Sequence, residues 1–306
     1  MSPDRPYRFA VATAAATWVL LLVGGLVHGT GSGLACPDWP TCYGSFFPRM
    51  TGGILFEHSH RLAASAVGLL TIALAVLLGR GRWKLGVAAV ALVIFQGVLG
   101  GLTVLFKLPD LVSTAHLAVS MIFFLLLVAI AWRVAPKAPA PPAASSSTRR
   151  LASLATAAVY LQIVLGALVR HTESGLACGG WVLCHGSLWP TGAHPATRLH
   201  MAHRLGAVIV AALVVAAAVS FARRADAAPR LRLLTRALPL AVAAQIALGL
   251  ASVRTGLSLW AVEAHLGLGA ALLAGCFVLR LSLGGSSATA AARAPTAPAR
   301  LAEADS

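Results

Sequence analysis

Eight long apolar stretches dominate this chain, at about residues 9–28, 57–79, 85–106, 111–132, 151–169, 199–221, 237–254 and 260–282. Each is near the roughly 20 residues that a helix needs to cross the hydrocarbon core of a bilayer. They are runs of Ala, Leu and Val without the alternation of apolar and polar residues that a membrane barrel requires. Only 11% of the residues are charged, against about 25% in soluble domains. Such a chain cannot cover a water-facing surface, and it is too apolar to stay disordered. The expectation is an all-α integral membrane protein with eight transmembrane helices. Only Arg5 and Arg8 are basic ahead of the first stretch, and no small-residue cleavage site follows it. It is read as a retained helix and not as a signal peptide.

The formal net charge of +15 would suggest a nucleic-acid partner in a soluble protein. Here it reflects basic loops on one side of the bilayer, so the partner is lipid and no nucleic acid is expected. Most of the 24 Lys and Arg residues fall on one side if the N-terminus is cytoplasmic. That side collects Arg80, Arg82, Lys84, Arg133, Lys137, Arg149, Arg150 and the basic residues around 223–236. Both termini then face the cytoplasm, and the loops at about 29–56 and 170–198 face outward. The Ala-rich composition, with no Arg/Ser-rich transit segment, points to a bacterial plasma membrane.

The chain repeats itself. Residues 26–45 read LVHGTGSGLACPDWPTCYGS and residues 168–187 read LVRHTESGLACGGWVLCHGS, an offset of 142. His60-Arg61-Leu62 recurs as His203-Arg204-Leu205, Gln96 as Gln245, and His116 as His265. Each copy holds four helices, so the copies share one orientation. The fold expected is two pseudo-symmetric four-helix bundles in a parallel internal repeat. The division is an N-terminal half at 1–135, a Pro-rich cytoplasmic linker at 136–150, a C-terminal half at 151–284 and a disordered tail at 285–306.

Ionisable residues inside a membrane are costly and mark functional sites. His60, His116, His203 and His265 each lie one to one and a half turns inside the outer end of an even-numbered helix, at one depth. Histidine is a standard heme-iron ligand, and two helices that each present an imidazole can clamp a macrocycle. The pairs within each half are His60 with His116 and His203 with His265, and pairing across halves stays open. A polar contact between helices is the plainer reading of any one of them. Copper or zinc would gather three or four close ligands. Glu57 shares a helix face with His60 and Arg61 and has His200 as its repeat counterpart. Arg61 and Arg204 suit carboxylates, and heme carries two; snorkelling to headgroups is the alternative. His58 is expected to face solvent or headgroups, and His200 to lie nearer its pocket. Gln96, Gln162 and Gln245 are expected to hydrogen-bond between helices. Cys36 with Cys42 and Cys178 with Cys184 lie in outer loops, where disulfides form; metal binding is the weaker reading. Cys276 packs as a small apolar residue.

Taken together, E-x-x-H-R at Glu57–Arg61, a His in each of the other three even helices and the duplicated SGLAC loops resemble the heme A synthase family over about residues 9–282. The resemblance implies oxidation of the C8 methyl of heme O to a formyl group. It implies His203 and His265 as ligands of a resident heme b, and His60 and His116 as the substrate-heme histidines. Glu57 would be the catalytic carboxylate, with Arg61 and Arg204 beside the two hemes. Cys36–Cys42 would be the pair for which a redox role has been suggested, and Cys178–Cys184 a structural pair. Heme O synthase is the expected supplier of substrate; the electron donor and a homo-oligomer are left open. Two positions depart from the pattern. His28 stands where relatives tend to carry Arg, and His58 where they tend to carry an aromatic residue. The rival readings are a bis-histidine di-heme electron-transfer cytochrome, which needs neither Glu57 nor paired cysteines, and a non-enzymatic heme carrier.

Overall fold

The computed structural model describes residues 4–136, 144–180, 182–191, 194–223 and 229–283. Eight helices long and apolar enough to cross a membrane are present among them. They are α1 (Arg5–Gly29), α2 (Gly53–Leu78), α3 (Trp83–Leu105), α4 (Asp110–Val134), α5 (Ser146–His171), α6 (Pro195–Ala222), α7 (Pro229–Arg254) and α8 (Leu259–Leu281). No strand occurs among the described residues, only two isolated bridges, Cys42 with Ser45 and Cys184 with Ser187. The all-α expectation holds.

Several helices begin earlier than their apolar stretches. α7 starts at Pro229 and α6 at Pro195. Proline is preorganised for a first turn, where its missing N–H costs nothing. α5 starts at Ser146, where the Ser145 hydroxyl accepts from the Thr148 amide. Residues 146–150, expected in the linker, are therefore helical: the Ser-Ser-Ser-Thr run is a helix cap rather than a spacer. The centre of the linker, at 137–143, and the tail expected at 285–306 lie outside the described residues.

Within the first half α1 packs on α2 and α4, and α3 packs on the same two; α5 and α7 do likewise with α6 and α8. The histidine-bearing helices α2 and α4, and α6 and α8, thus sit across from one another with an odd helix on each side. α1 against α8, and α4 against α5 and α8, join the halves. The Trp18 indole donates to the Gly267 carbonyl at 2.9 Å across that seam. The core is continuous through both halves, with Leu74, Met121, Leu127, Ile130, Val214, Phe221, Leu273 and Leu279 fully buried in it. The rest of the apolar surface points outward: Val76 is 76% exposed and Leu240 73%. In water such a surface would be a liability; in lipid it is the ordinary exterior.

Candidate functional site

The four histidines occupy matching places. Each meets a glycine on the odd helix before its own. An ideal Cβ would come within 3.0 Å of the His60 ring at Gly24 and 3.0 Å of His116 at Gly100. It would come within 2.8 Å of His203 at Gly166 and 3.1 Å of His265 at Gly249. A side chain larger than hydrogen there would push the imidazole out of its notch. All four histidines are half-buried. His60 has His116 as a near electrostatic neighbour, and His203 has His265.

The glutamines act between helices, as expected. The Gln96 amide donates to the His116 carbonyl at 3.1 Å and to the Ser120 hydroxyl. Gln162 donates to the His203 carbonyl at 2.7 Å, and Gln245 to that of His265 at 2.9 Å. His265 Nδ1 lies 3.0 Å from the Gln245 backbone carbonyl, so its Nδ1–H donates there and the Nε2 lone pair is left free.

Above the first pair sits the first cysteine loop. Cys36–Cys42 and Cys178–Cys184 are both disulfides. Each second cysteine opens a tight turn, Cys-x-Gly-Ser, with two successive left-handed residues. They are Tyr43 and Gly44 in one loop and His185 and Gly186 in the other. This is the hairpin geometry that positive φ at both central positions gives. Asp38 organises the first loop. It accepts from the Thr41 hydroxyl, from the Tyr43 amide at 2.6 Å and from the Gly44 amide at 2.9 Å. The Thr41 hydrogen bond leads these in holding its carboxyl at about 2, below the ordinary 3.8. Gly180 stands at the repeat position in the second loop.

Arg61 is drawn into this loop. Its guanidinium donates to the carbonyls of Asp38 at 2.7 Å, Cys36 at 3.0 Å and Thr41, and to Glu57 Oε1 at 2.5 Å. Arg204 repeats the pattern, donating to the Gly180 carbonyl at 2.6 Å, the Cys178 carbonyl at 2.5 Å and His200 Nε2 at 3.2 Å. Both arginines turn to the backbone of the cysteine loops, where carbonyls outside any regular ladder need donors. Glu57 is 3% exposed. Its second oxygen accepts from the Cys36 amide at 2.7 Å, so one carboxylate joins α2, Arg61 and the disulfide loop.

His58 is a correction. Expected to face solvent or headgroups, it is 3% exposed. The loop folds down over the end of α2 and covers the face that a bare helix would leave open. Its Nε2 lies 3.0 Å from the Phe46 carbonyl, and it shares a pocket with Cys36 and Cys42. Met201 takes the same place beside Cys178 and Cys184.

Sequence reasoning missed Glu263. It lies on α8 two residues before His265 and is 9% exposed; Oε1 accepts from Arg170 at 3.0 Å. Arg170 also donates to the Gly25 carbonyl at 2.9 Å, so the pair ties α5 and α8 to α1 at the seam. A Cβ at Gly25 would overlap the Glu263 carboxylate. The signal was available, since an acid inside an apolar span is costly unless paired. Nearby, His171 Nδ1 lies 3.0 Å from the Thr114 hydroxyl and its ring packs edge-on to His28. His171 therefore has built partners and is not merely a loop residue.

The chain matches the family model described as Cytochrome oxidase assembly protein, COX15-CtaA, over residues 7–54 and 53–277. The chain belongs to this family. It is 35% identical to the heme A synthase of Symbiobacterium thermophilum over 222 residues, which cover 67% of this chain and 72% of that one. It is 33% identical to that of Shouchella clausii over 221 residues, 68% of this chain and 73% of the relative. With that of Geobacillus kaustophilus the identity is 31% over 270 residues, 84% of each. The likeness thus runs through both halves of the repeat.

Proposed function

We propose that this chain is a heme A synthase, a membrane oxidoreductase that converts the C8 methyl of heme O to the formyl of heme A. The observation that carries the site assignment is the fourfold histidine–glycine register, two imidazoles per half on helices that face each other across two others. The residues suit heme. Nε2 of His265 is free because Nδ1 is engaged, the buried Nδ1 of His116 has no protein partner, and glycines line the rings. We assign His203 and His265 to a resident heme b, and His60 and His116 to the substrate heme.

Bound heme supplies the one-electron and oxygen chemistry that no side chain offers. The chain's own residues bind, orient and enclose. Glu57 is the acid–base group of the first half, one turn from His60, and Arg61 and the Cys36 amide fix its carboxylate in place. His200 replaces it in the second half, where no methyl is oxidised. Arg61 and Arg204 act through the loops, pinning each disulfide lid over its histidine pair. The two halves are parallel copies with cytoplasmic termini in a bacterial inner membrane, and heme O arrives from the enzyme class that farnesylates heme b.

The test is heme content of the purified chain. His203→Ala and His265→Ala should lose the tightly held low-spin heme. His60→Ala and His116→Ala should keep it yet form no heme A. Loss of the retained heme on changing His60 instead would reverse the assignment.

A further inference from the structure

An enzyme whose cofactor and substrate are both hemes must keep one and release the other, and two histidine pairs of the same chemistry cannot tell them apart. The difference must lie in what supports the ligands. One turn before the glycine that faces each histidine, three odd helices carry glutamine: Gln96, Gln162 and Gln245. The first helix carries Leu20.

The consequence is local. The Gln162 amide nitrogen lies 3.0 Å from His203 Nδ1 as well as 2.7 Å from its carbonyl. As placed the amide donates to both, and turned over it presents its oxygen to the Nδ1–H that an Nε2 ligand carries, giving up the bond to the carbonyl. His265 Nδ1 is engaged by the backbone carbonyl of Gln245, while the Gln245 side chain holds the His265 carbonyl. In the first half the His116 Nδ1 is buried without a partner, and the His60 ring makes no hydrogen bond among the described residues.

A second position moves with the first. Gly206, one turn after His203, lies against Gln162, and a Cβ there would overlap its amide oxygen. At the offset of His60 and His203 the first half has Ala63. The second half thus pairs a glutamine with the glycine that admits it. The first half pairs leucine with alanine.

Resting on the heme-ligand reading above, we propose that Gln162 and Gly206 form a positioning pair that makes His203 a permanent ligand. Leu20 and Ala63 leave His60 untethered, so that the first-half heme exchanges. A tethered Nδ1 fixes ring rotation and strengthens the ligand, and loss of such a partner typically weakens metal binding about 10–100-fold.

The experiment is heme transfer from the full-length detergent-solubilised chain, loaded with two hemes, to excess apomyoglobin, followed by absorbance. Release should be biphasic, with the phases assigned by His60→Ala and His203→Ala. Leu20→Gln with Ala63→Gly should slow the fast phase about tenfold. Gln162→Leu should hasten the slow phase about 10–100-fold, and Gly206→Ala should do the same by evicting the amide. Leu20→Met, equally bulky and without an amide, should leave the fast phase unchanged. An unmoved fast phase in the Leu20/Ala63 double variant, or an unmoved slow phase in Gln162→Leu, overturns the inference. A chain that holds no heme through these four histidines overturns the functional reading itself.

Discussion

At the scale of single residues, the site is a set of buried polar groups whose partners decide their work. Glu57 is held by Arg61 and the Cys36 amide, so its carboxyl group is fixed in place. Glu57→Gln should cut heme A formation at least 100-fold while leaving the second-half heme in place, read by extracted-heme chromatography and the low-spin spectrum. Removing the carboxylate also takes the charged acceptor from Arg61, which keeps its three loop carbonyls, and a charge-assisted hydrogen bond of that kind contributes about 1.5–3 kcal/mol. The four histidines, Glu57 and the cysteines were legible in the sequence because each is a costly residue in an apolar span or a repeated loop. The destinations of Arg61, Arg204 and His58 were not. They depend on how a loop of irregular backbone folds over a helix end, which helical periodicity does not describe. Glu263 was legible and passed over. Gly25→Ala, which crowds its carboxylate, should destabilise the chain by about 1–3 kcal/mol in the manner of other overpacked positions, measured as the thermal midpoint in detergent.

At the scale of elements, the odd helices are supports and the even helices carry the four histidines. The glycine of every odd helix, and the glutamine of the last three, meet one histidine, a relation between neighbouring helices that the Q-x-x-x-G spacing hints at and only packing reveals. The cysteine loops depend on their own polar frame. Asp38 is held well below its ordinary range, at about 2, by the Thr41 hydroxyl first and then by the Gly44 and Tyr43 amides. Its folded value is depressed, so the ordering it provides is fully present above about pH 4 and is lost as pH falls toward 2. Exchange at the Tyr43 and Gly44 amides, corrected for intrinsic rates, should speed up over that window and should already be fast in Asp38→Asn. The second loop, with Gly180 at the equivalent place, should show no such dependence.

At the scale of the whole molecule, the apolar stretches announced the eight spans, and the repeat announced where their ligands would match. The seam between the halves was less legible, because Trp18–Gly267 and Arg170–Glu263–Gly25 join residues more than 90 positions apart. Trp18→Phe should cost about 1 kcal/mol, the usual worth of one interhelical hydrogen bond in a membrane, without altering either heme spectrum. On the proposed reading one half keeps a heme and the other changes one, and that claim has a direct test. Hemes would be extracted and weighed from cells that make heme O but no heme A, with and without this chain. The account predicts a mass matching the formyl heme, or its hydroxymethyl precursor, only when the chain is present. It also predicts loss of that mass in His60→Ala. Heme O that remains unchanged beside an abundant, heme-loaded chain would contradict it and leave a di-heme electron-transfer cytochrome in its place.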